Sequence, residues 1–329
     1  MGHSNWSDAA FHDRQTHRSR SGQTAFTYDQ HVHSTGVAAV HPDMNPHGST
    51  RESRDSAQHP ASLAIAVIFD VTGSMGTVPR VLQTKLGALM RVLIQRGYVQ
   101  HPQILFGAVG DAYSDTVPLQ IGQFESGLEM DDDLGKIYLE GGGGGQVHET
   151  YELALYVMAR HTAIDCADKR GHKGYLFTIG DEMPYAVVRC QQVQQQIGDR
   201  IARDIPVAQI IAEVQQRYEY FHIIPTNTSH GGSVEVQACW RDLIGERVLL
   251  LNDEAAVCET IALAIGLCEG TIDDLASGMS DLVQAGADRR AATTATTALT
   301  PYAARHVPAR ATAVGLLPPA LTLDGDGRL

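Results

Sequence analysis

The hydrophobic positions along this chain form two alternating kinds of segment. A continuous apolar run such as ASLAIAVIFD (61–70), bounded by turn residues, is typical of a strand buried on both faces. The next segment, TVPRVLQTKLGALMRVLIQRGYV (77–99), instead repeats apolar residues at helical spacing. Because strands that alternate with helices form parallel sheets, the pattern predicts a doubly wound α/β fold. We expect a mostly parallel sheet with helices on both faces.

The same alternation continues to about residue 272. The further predicted strands are HPQILFGAVGD (101–111), TVPLQIGQF (116–124), GYLFTIGDEMP (174–184), EYFHIIPT (219–226) and ERVLLLN (246–252). The segment PVAQIIAEVQQRY (206–218) leads into the strand at 219–226. The further predicted helices are YELALYVMARHTAIDC (151–166), VRCQQVQQQIGDRI (188–201) and EAAVCETIALAIGLCEG (254–270).

The two ends of the chain lack this alternation. Residues 1–60 are polar and hold eight of the fifteen histidines, which predicts a disordered His-rich arm. Residues 273–329 are rich in Ala, Thr and Pro and predict a flexible tail, with one short helix around DLASGMSDLVQAG (274–286). The α/β domain is therefore expected at 61–272. Within it, the acidic run 131–133 is expected to be a solvated helix start, with a weak second cation site as the alternative.

Composition narrows the class of partner and the compartment. The net charge of −13 argues against a nucleic-acid backbone or an anionic membrane as the main partner. Five scattered cysteines without a CxxC pair indicate free thiols in a reducing compartment. The sequence shows no signal-peptide h-region and no apolar run of about 18 residues that would span a membrane. We expect a soluble, cytoplasmic protein.

Oxygen-bearing side chains follow the predicted strands at one rim of the sheet. In an open α/β sheet, ligands bind outside the C-terminal ends of the strands. The residues expected at that rim are Asp70, Thr72, Ser74, Asp111 and Asp181, with Glu149 and Thr150 at the exit of the five-glycine loop EGGGGGQVHET (140–150). Carboxylates and hydroxyls without sulfur or imidazole are the ligands of a hard cation such as Mg²⁺ or Mn²⁺. Asp111 is expected either to accept a hydrogen bond from metal-bound water or to cap a turn.

The first of these motifs resembles a known metal site. Asp70-Val71-Thr72-Gly73-Ser74, placed after a buried strand, is similar to the DxSxS motif of von Willebrand factor type A domains and their metal-ion-dependent adhesion site. The family threonine falls here on Glu149, as in a branch of the family with a glycine-rich loop, and the last ligand falls on Asp181 in TIGDEMP. The resemblance covers about residues 61–270 and is to an intracellular bacterial member.

The resemblance implies a function as well as a fold. It implies a divalent cation, Mg²⁺ or Mn²⁺, held by Asp70, Thr72, Ser74, Glu149 and Asp181, with the role of Glu149 against Thr150 left open. Neutral hydroxyl ligands, with Asp70 and Asp181 acting through bridging water, would leave the cation short of one oxygen. A protein partner would supply it from a carboxylate. We therefore expect a non-catalytic adaptor or assembly component, and an AAA ATPase or the product of a neighbouring gene is the candidate partner.

Three other interpretations remain open. The segment 70–77 could be a strand-to-helix turn whose side chains cap the following helix. A haloacid-dehalogenase-like, Mg²⁺-dependent phosphotransferase also begins with an apolar strand and a nucleophilic aspartate, but it usually has an acid where Thr72 stands. A structural assembly subunit would use the arm and the tail to tie copies together. The sequence lacks the GK[ST] ending of a phosphate-binding loop and the GxSxG elbow of a serine hydrolase.

Overall fold

A computed structural model describes residues 2–141 and 147–306, apart from the side chain of Ser74. Its centre is a six-stranded sheet. The strands are β1 (Leu63–Asp70), β2 (Pro102–Val109), β3 (Leu119–Ile121), β4 (Gly174–Ile179), β5 (Tyr218–Pro225) and β6 (Val248–Leu251). Their spatial order is β6-β5-β4-β1-β2-β3, and only β3 runs antiparallel to its neighbour. The predicted doubly wound, mostly parallel α/β fold is confirmed.

The order of the strands creates a crevice beside β1. The chain moves outward from β1 to β2 and β3 on one side, and then crosses to β4 on the other side. Connections after β1 and β4 therefore leave in opposite directions, and this point of reversal is where open α/β sheets bind ligands. All eight residues of β1 are buried, as its continuous apolar run predicts. The crevice thus lies at the C-terminal end of a fully buried strand, next to Asp70.

Twelve α-helices flank the sheet in the described part of the chain. They are α1 (Asp8–Ser21), α2 (Thr27–Thr35), α3 (Val78–Gln95), α4 (Glu129–Gly135), α5 (Tyr151–Arg160), α6 (Asp165–Arg170), α7 (Cys190–Gln196), α8 (Val207–Arg217), α9 (Val234–Ile244), α10 (Val257–Glu269), α11 (Leu275–Gln284) and α12 (Arg289–His306). Helix α3 packs against α10, and α5 packs against α8. None of the helices in 2–141 and 147–306 is long and apolar enough to cross a bilayer.

The helix predicted over 151–166 is interrupted. Helix α5 ends at Arg160, and the strand Thr162–Ile164 pairs in parallel with Arg51–Ser53 before α6 begins. The β-branched residues Thr162 and Ile164 favour an extended backbone, and the strand gains a partner from the arm that the sequence pattern did not reveal.

The N-terminal arm is folded, so the prediction of disorder is wrong for its described residues 2–60. Ser7 caps α1, and the buried Phe11 of that helix lies against Gly87 of α3, where an added Cβ would be 2.9 Å from the Phe11 ring. Phe26 and Val32 are also buried. The sequence pattern does not reveal this packing, because few apolar residues anchor the arm and Phe11 packs against α3 as a single residue rather than as part of an apolar stripe.

An ion-pair network holds the arm to the domain. Asp131 of α4 is fully buried and accepts two hydrogen bonds from Arg18, at 2.9 and 2.7 Å, and one from Gln83 at 2.8 Å. Arg14 lies 2.6 Å from the exposed Asp132. The prediction of a solvated helix start at 131–133 is therefore wrong for Asp131 and for the buried Asp133, which pairs with Lys136.

The C-terminal segment is folded as far as His306. The short helix expected at 274–286 is present as α11, and α12 follows it. Ala291, Ala295 and Leu299 of α12 are buried, and α12 packs on α10. The prediction of a flexible tail is therefore wrong for 275–306, because alanines that give no strong apolar signal permit a close helix–helix approach. The rest of the predicted tail, 307–329, lies outside the described residues.

Candidate metal centre

Asp70 stands at the crevice because it is the last residue of β1. Its side chain is fully buried, and its Oδ1 accepts hydrogen bonds from the Thr72 backbone N–H (2.7 Å) and from the Thr72 hydroxyl (2.6 Å). A 3₁₀ turn at Gly73–Met75 then leads into α3. Neither Thr72 nor Thr77 donates or accepts a side-chain cap at the helix starts that follow them. The predicted turn exists, but its hydroxyl is directed back to Asp70 rather than used as a helix cap.

Asp181 reaches the same crevice from the end of β4. It is fully buried, and its Oδ2 accepts a hydrogen bond from the His230 backbone N–H at 2.8 Å. The preceding Gly180 allows this approach, because an added Cβ would stand 1.7 Å from the Tyr151 hydroxyl and 3.1 Å from the Asp70 Cβ. The charges of Asp70 and Asp181 interact. These two strand ends therefore meet, as the sequence predicts.

Glu149 and Thr150 reach the crevice at the start of α5 and differ in what they contact. The Thr150 hydroxyl accepts a hydrogen bond from the Ala112 backbone N–H at 2.6 Å, so it fixes the loop that follows β2. Glu149 is buried in a two-residue strand that pairs with Met183–Pro184, and no residue in 2–141 or 147–306 forms a hydrogen bond with its Oε2. Of these two residues, Glu149 is therefore the one with an oxygen available to bind a cation. Of the glycine run, residues 142–145 lie outside the described part of the chain.

A further carboxylate, Glu182, joins the group without having been predicted. It follows Asp181, is buried, and has an unpartnered Oε2, while its backbone carbonyl accepts a hydrogen bond from the Trp240 indole at 2.8 Å. Burial and the charge of Asp70 raise the pKa of Glu182 to about 8. The only sequence signal for Glu182 was its position beside Asp181. That signal is weak, because neighbouring side chains in an extended chain usually point in opposite directions.

Besides burial, the charges of the buried carboxyl groups raise one another's pKa values, although a contact with the Glu149 side chain offsets part of this effect for Glu182. Burial raises the pKa of Asp70, and the charge of Asp181 adds to this effect against the lowering by the Thr72 hydrogen bonds. Burial, followed by the charges of Asp70 and Glu182, raises the pKa of Glu149. Asp70 Oδ2, Glu149 Oε2, Glu182 Oε2 and the Tyr151 hydroxyl are among the buried oxygens that have no hydrogen-bond partner within the described residues. Buried carboxylate oxygens are normally hydrogen-bonded or bound to a cation, so this arrangement fits a bound cation.

The side chains at this site limit which cation could bind. In 2–141 and 147–306, no three His, Cys, Asp or Glu side chains are grouped so that they alone could hold a metal ion. A cation here would also need hydroxyl or water oxygens, which Mg²⁺ accepts more readily than Zn²⁺ does. Thr72 supplies one such hydroxyl. The side chain of Ser74, the other predicted hydroxyl ligand, lies outside what the structure describes.

Asp111 lies at the rim of the crevice and has a different role. Its Oδ1 accepts hydrogen bonds from the Tyr113 backbone N–H and from the Tyr185 hydroxyl, both at 3.0 Å, and its Oδ2 accepts one from Ser114 at 3.1 Å. Both oxygens are thus engaged within the chain. Of the two expected roles for Asp111, these contacts correspond to capping the turn after β2.

Comparison with known proteins adds little to this geometry. No protein-family model matches the chain, and no curated protein matches it. The open form of the pilus adhesin SpaC from Lactobacillus rhamnosus GG aligns with 68% of this chain at 10% identity and a TM-score of 0.43. This chain spans only 31% of that adhesin. A conserved hypothetical protein, BatB from Bacteroides thetaiotaomicron, aligns with 68% of this chain and 99% of its own, at 9% identity and a TM-score of 0.35.

Proposed function

We propose that this chain is a von Willebrand factor A-like module that binds a divalent cation, Mg²⁺ or Mn²⁺, and uses it to dock a carboxylate of a protein partner. The observation that carries the proposal is the set of buried carboxylate oxygens on Asp70, Glu149 and Glu182 for which the described part of the chain supplies no hydrogen-bond partner. They come from three separate segments that meet at the point where the strand order reverses. A cation is the simplest partner for all of them.

The residues that would hold the cation are Asp70, Thr72, Ser74, Glu149 and Asp181, with Glu182 as a further carboxylate. When bound, the cation would supply a Lewis-acidic centre for an external oxygen ligand. Thr72 holds Asp70 through both its backbone N–H and its hydroxyl. The backbone N–H of His230 orients Asp181. These contacts pre-position the acids, so little rearrangement is needed for binding.

Cation-dependent docking can be tested with the partner recovered by affinity capture. Its binding should be lost in EDTA, return with Mg²⁺, and fall at least tenfold in Asp70→Ala and Asp181→Ala. Asp132→Ala is the matched control, since Asp132 is an exposed acid that contacts the arm. Equal partner affinity in EDTA and in Mg²⁺ would contradict the proposal.

The phosphotransferase alternative predicts a different result from the same variants. A nucleophilic aspartate must reach its substrate, whereas Asp70 is fully buried and its Oδ1 already accepts two hydrogen bonds. Attack would therefore have to come from Oδ2, with the phosphate ester inside the buried crevice, and for this reason we prefer binding to phosphoryl transfer. Mg²⁺-dependent turnover of a generic phosphate ester that Asp70→Asn abolishes would reverse this preference.

A further inference from the structure

A row of three contacting aromatic rings leads from solvent towards the candidate metal centre, with the outer pair tilted by 51° and the inner pair stacked. Tyr113, in the loop after β2, is 54% exposed, and its ring centroid lies 4.7 Å from that of Tyr185. The Tyr185 ring stacks on His148 at 5.2 Å, and His148 is the residue before Glu149. The Tyr185 hydroxyl is anchored on Asp111. The row therefore has an anchored middle ring, Tyr185, and one exposed aromatic face at its outer end.

Acidic groups surround this row. Asp111 and Asp115 flank Tyr113 in its loop, and Asp115 Oδ2 accepts a hydrogen bond from the Asp111 backbone N–H at 2.7 Å. The crevice beyond contains the buried carboxyl groups of Asp70, Glu149, Asp181 and Glu182. Asp111, Asp115 and Glu140, whose charges act on one another, are not among the proposed ligands, so the rim stays acidic when the cation is bound. A partner that presented carboxylates alone would meet net repulsion there.

A basic side chain of the protein itself, Arg189, lies beside Tyr113 but does not neutralise these acids. Tyr113 raises the pKa of the Arg189 guanidinium, and that guanidinium is paired with Asp204 at 2.9 Å. His148 is engaged in the ring stack, and the ring of His230 lies 3.9 Å from Glu182. The exposed face of Tyr113 thus combines an aromatic surface with a negative field, which is the environment that attracts a guanidinium or ammonium group.

We propose that this aromatic row is a second subsite, which binds an arginine or lysine of the partner close to the carboxylate that docks on the cation. The inference rests on the proposed function, because the carboxylate sets the position of the basic residue. Two ring-to-ring steps of about 5 Å separate Tyr113 from His148, which three residues of extended chain can span. Arginine fits best, because its planar, weakly hydrated guanidinium stacks on tyrosine.

The test is a displayed library of random dodecapeptides, selected on the Mg²⁺-loaded full chain and eluted with EDTA. We expect the selected peptides to be enriched in Asp or Glu with an Arg or Lys within three positions. Selection on Tyr113→Ala should keep the acidic enrichment and lose the basic one, while Tyr113→Phe, which retains the ring, should keep both. For a synthetic selected peptide, Tyr113→Ala should weaken the Kd about three- to tenfold, and replacing its basic residue by Ser should have a similar effect.

Each result separates the two proposals. Acidic enrichment without basic neighbours, or basic enrichment that Tyr113→Ala leaves intact, would overturn the second subsite and leave cation-dependent docking in place. No Mg²⁺-dependent enrichment of acidic residues would overturn the docking proposal and this inference with it. A thermal midpoint for each variant within a few degrees of wild type confirms that the loop substitution has not unfolded the chain.

Discussion

At the scale of single residues, the crevice concentrates groups that are unfavourable unless something binds them. Asp70, Glu149 and Glu182 are buried with raised pKa values and unpartnered oxygens. A group with a raised folded-state pKa stabilises the protein below its unfolded pKa, and this contribution is lost as the pH rises through the folded value. The metal-free protein should therefore lose stability from about pH 4 upward, because the unfolded chain releases the protons of these acids while the fold retains them. The loss ends once the pH passes the folded pKa, which is about 7 for Asp70, about 8 for Glu182 and about 11 for Glu149.

Cation binding should reverse this pH dependence. In EDTA, we expect the free energy of unfolding from urea titrations to fall from pH 5 to pH 8. Saturating Mg²⁺ should add about 2.7 kcal/mol at 100 times its Kd, and the gain should be larger at pH 8 than at pH 5. Glu149→Gln, which cannot ionise, should flatten the dependence in EDTA. An equal Mg²⁺ gain at both pH values would place the ion elsewhere.

The backbone at Gly180 is a second residue-scale feature with a measurable cost. A Cβ there would overlap the Tyr151 hydroxyl, so Gly180→Ala should destabilise the fold by about 1–3 kcal/mol. Tyr151→Phe removes a buried hydroxyl without a partner and should be close to neutral alone. In the double variant, part of the Gly180→Ala loss should be recovered. Strict additivity in a double-mutant cycle would show that the two groups do not collide.

At the scale of elements, the sequence predicts strands and helices with a regular apolar pattern, but it does not predict elements held by single buried residues. The apolar run of β1 and the helical stripe of α3 are visible in the sequence, because many residues of each segment face the same core. Phe11 in α1 and Thr162 in the strand after α5 depend instead on holes and partners far away in the chain. At the site, Asp70 and Asp181 were predictable because parallel strands end at one rim. Glu182 was not, since its direction depends on the turn that follows β4.

The arm should therefore behave as part of the domain. Arg18→Ala leaves the buried Asp131 with fewer donors, and we expect it to cost about 1–3 kcal/mol and to make the arm sensitive to limited proteolysis. Arg20→Ala is the control, because Arg20 is exposed on the same helix. Similar stability and protease sensitivity in the two variants would mean that the Asp131 network does not hold the arm.

At the scale of the whole molecule, the described chain shares one principal core. That core includes Phe11 from the arm, the sheet, and Leu299 and Tyr302 from α12. Unfolding should therefore be a single cooperative transition rather than the loss of a tail followed by the domain.

Helix α12 provides the test of this cooperativity. Leu299→Ala should cost about 2–5 kcal/mol, because the side chain is fully buried and leaves a cavity. Thr300→Ala, at the next and exposed position, should change the stability by less than about 0.5 kcal/mol. Both changes in the free energy of unfolding can be measured by urea titrations followed by circular dichroism. A small effect of Leu299→Ala, or a separate early transition, would show that α12 is peripheral.

The sequence has two tryptophans. One lies by the crevice, where a cation is expected to bind, and the other lies in the N-terminal arm, which is expected to be released when its contacts are broken. Trp240 is fully buried, stacks on His222 at 3.6 Å, and donates to the Glu182 carbonyl beneath the crevice. Trp6 is half-buried in the arm, 5.1 Å from Phe11. Their fluorescence should therefore differ in colour and in access to quenchers. In the single variant Trp6→Phe, the emission of Trp240 would report cation loading. In the single variant Trp240→Phe, the emission of Trp6 would report release of the arm, and neither experiment needs an attached label.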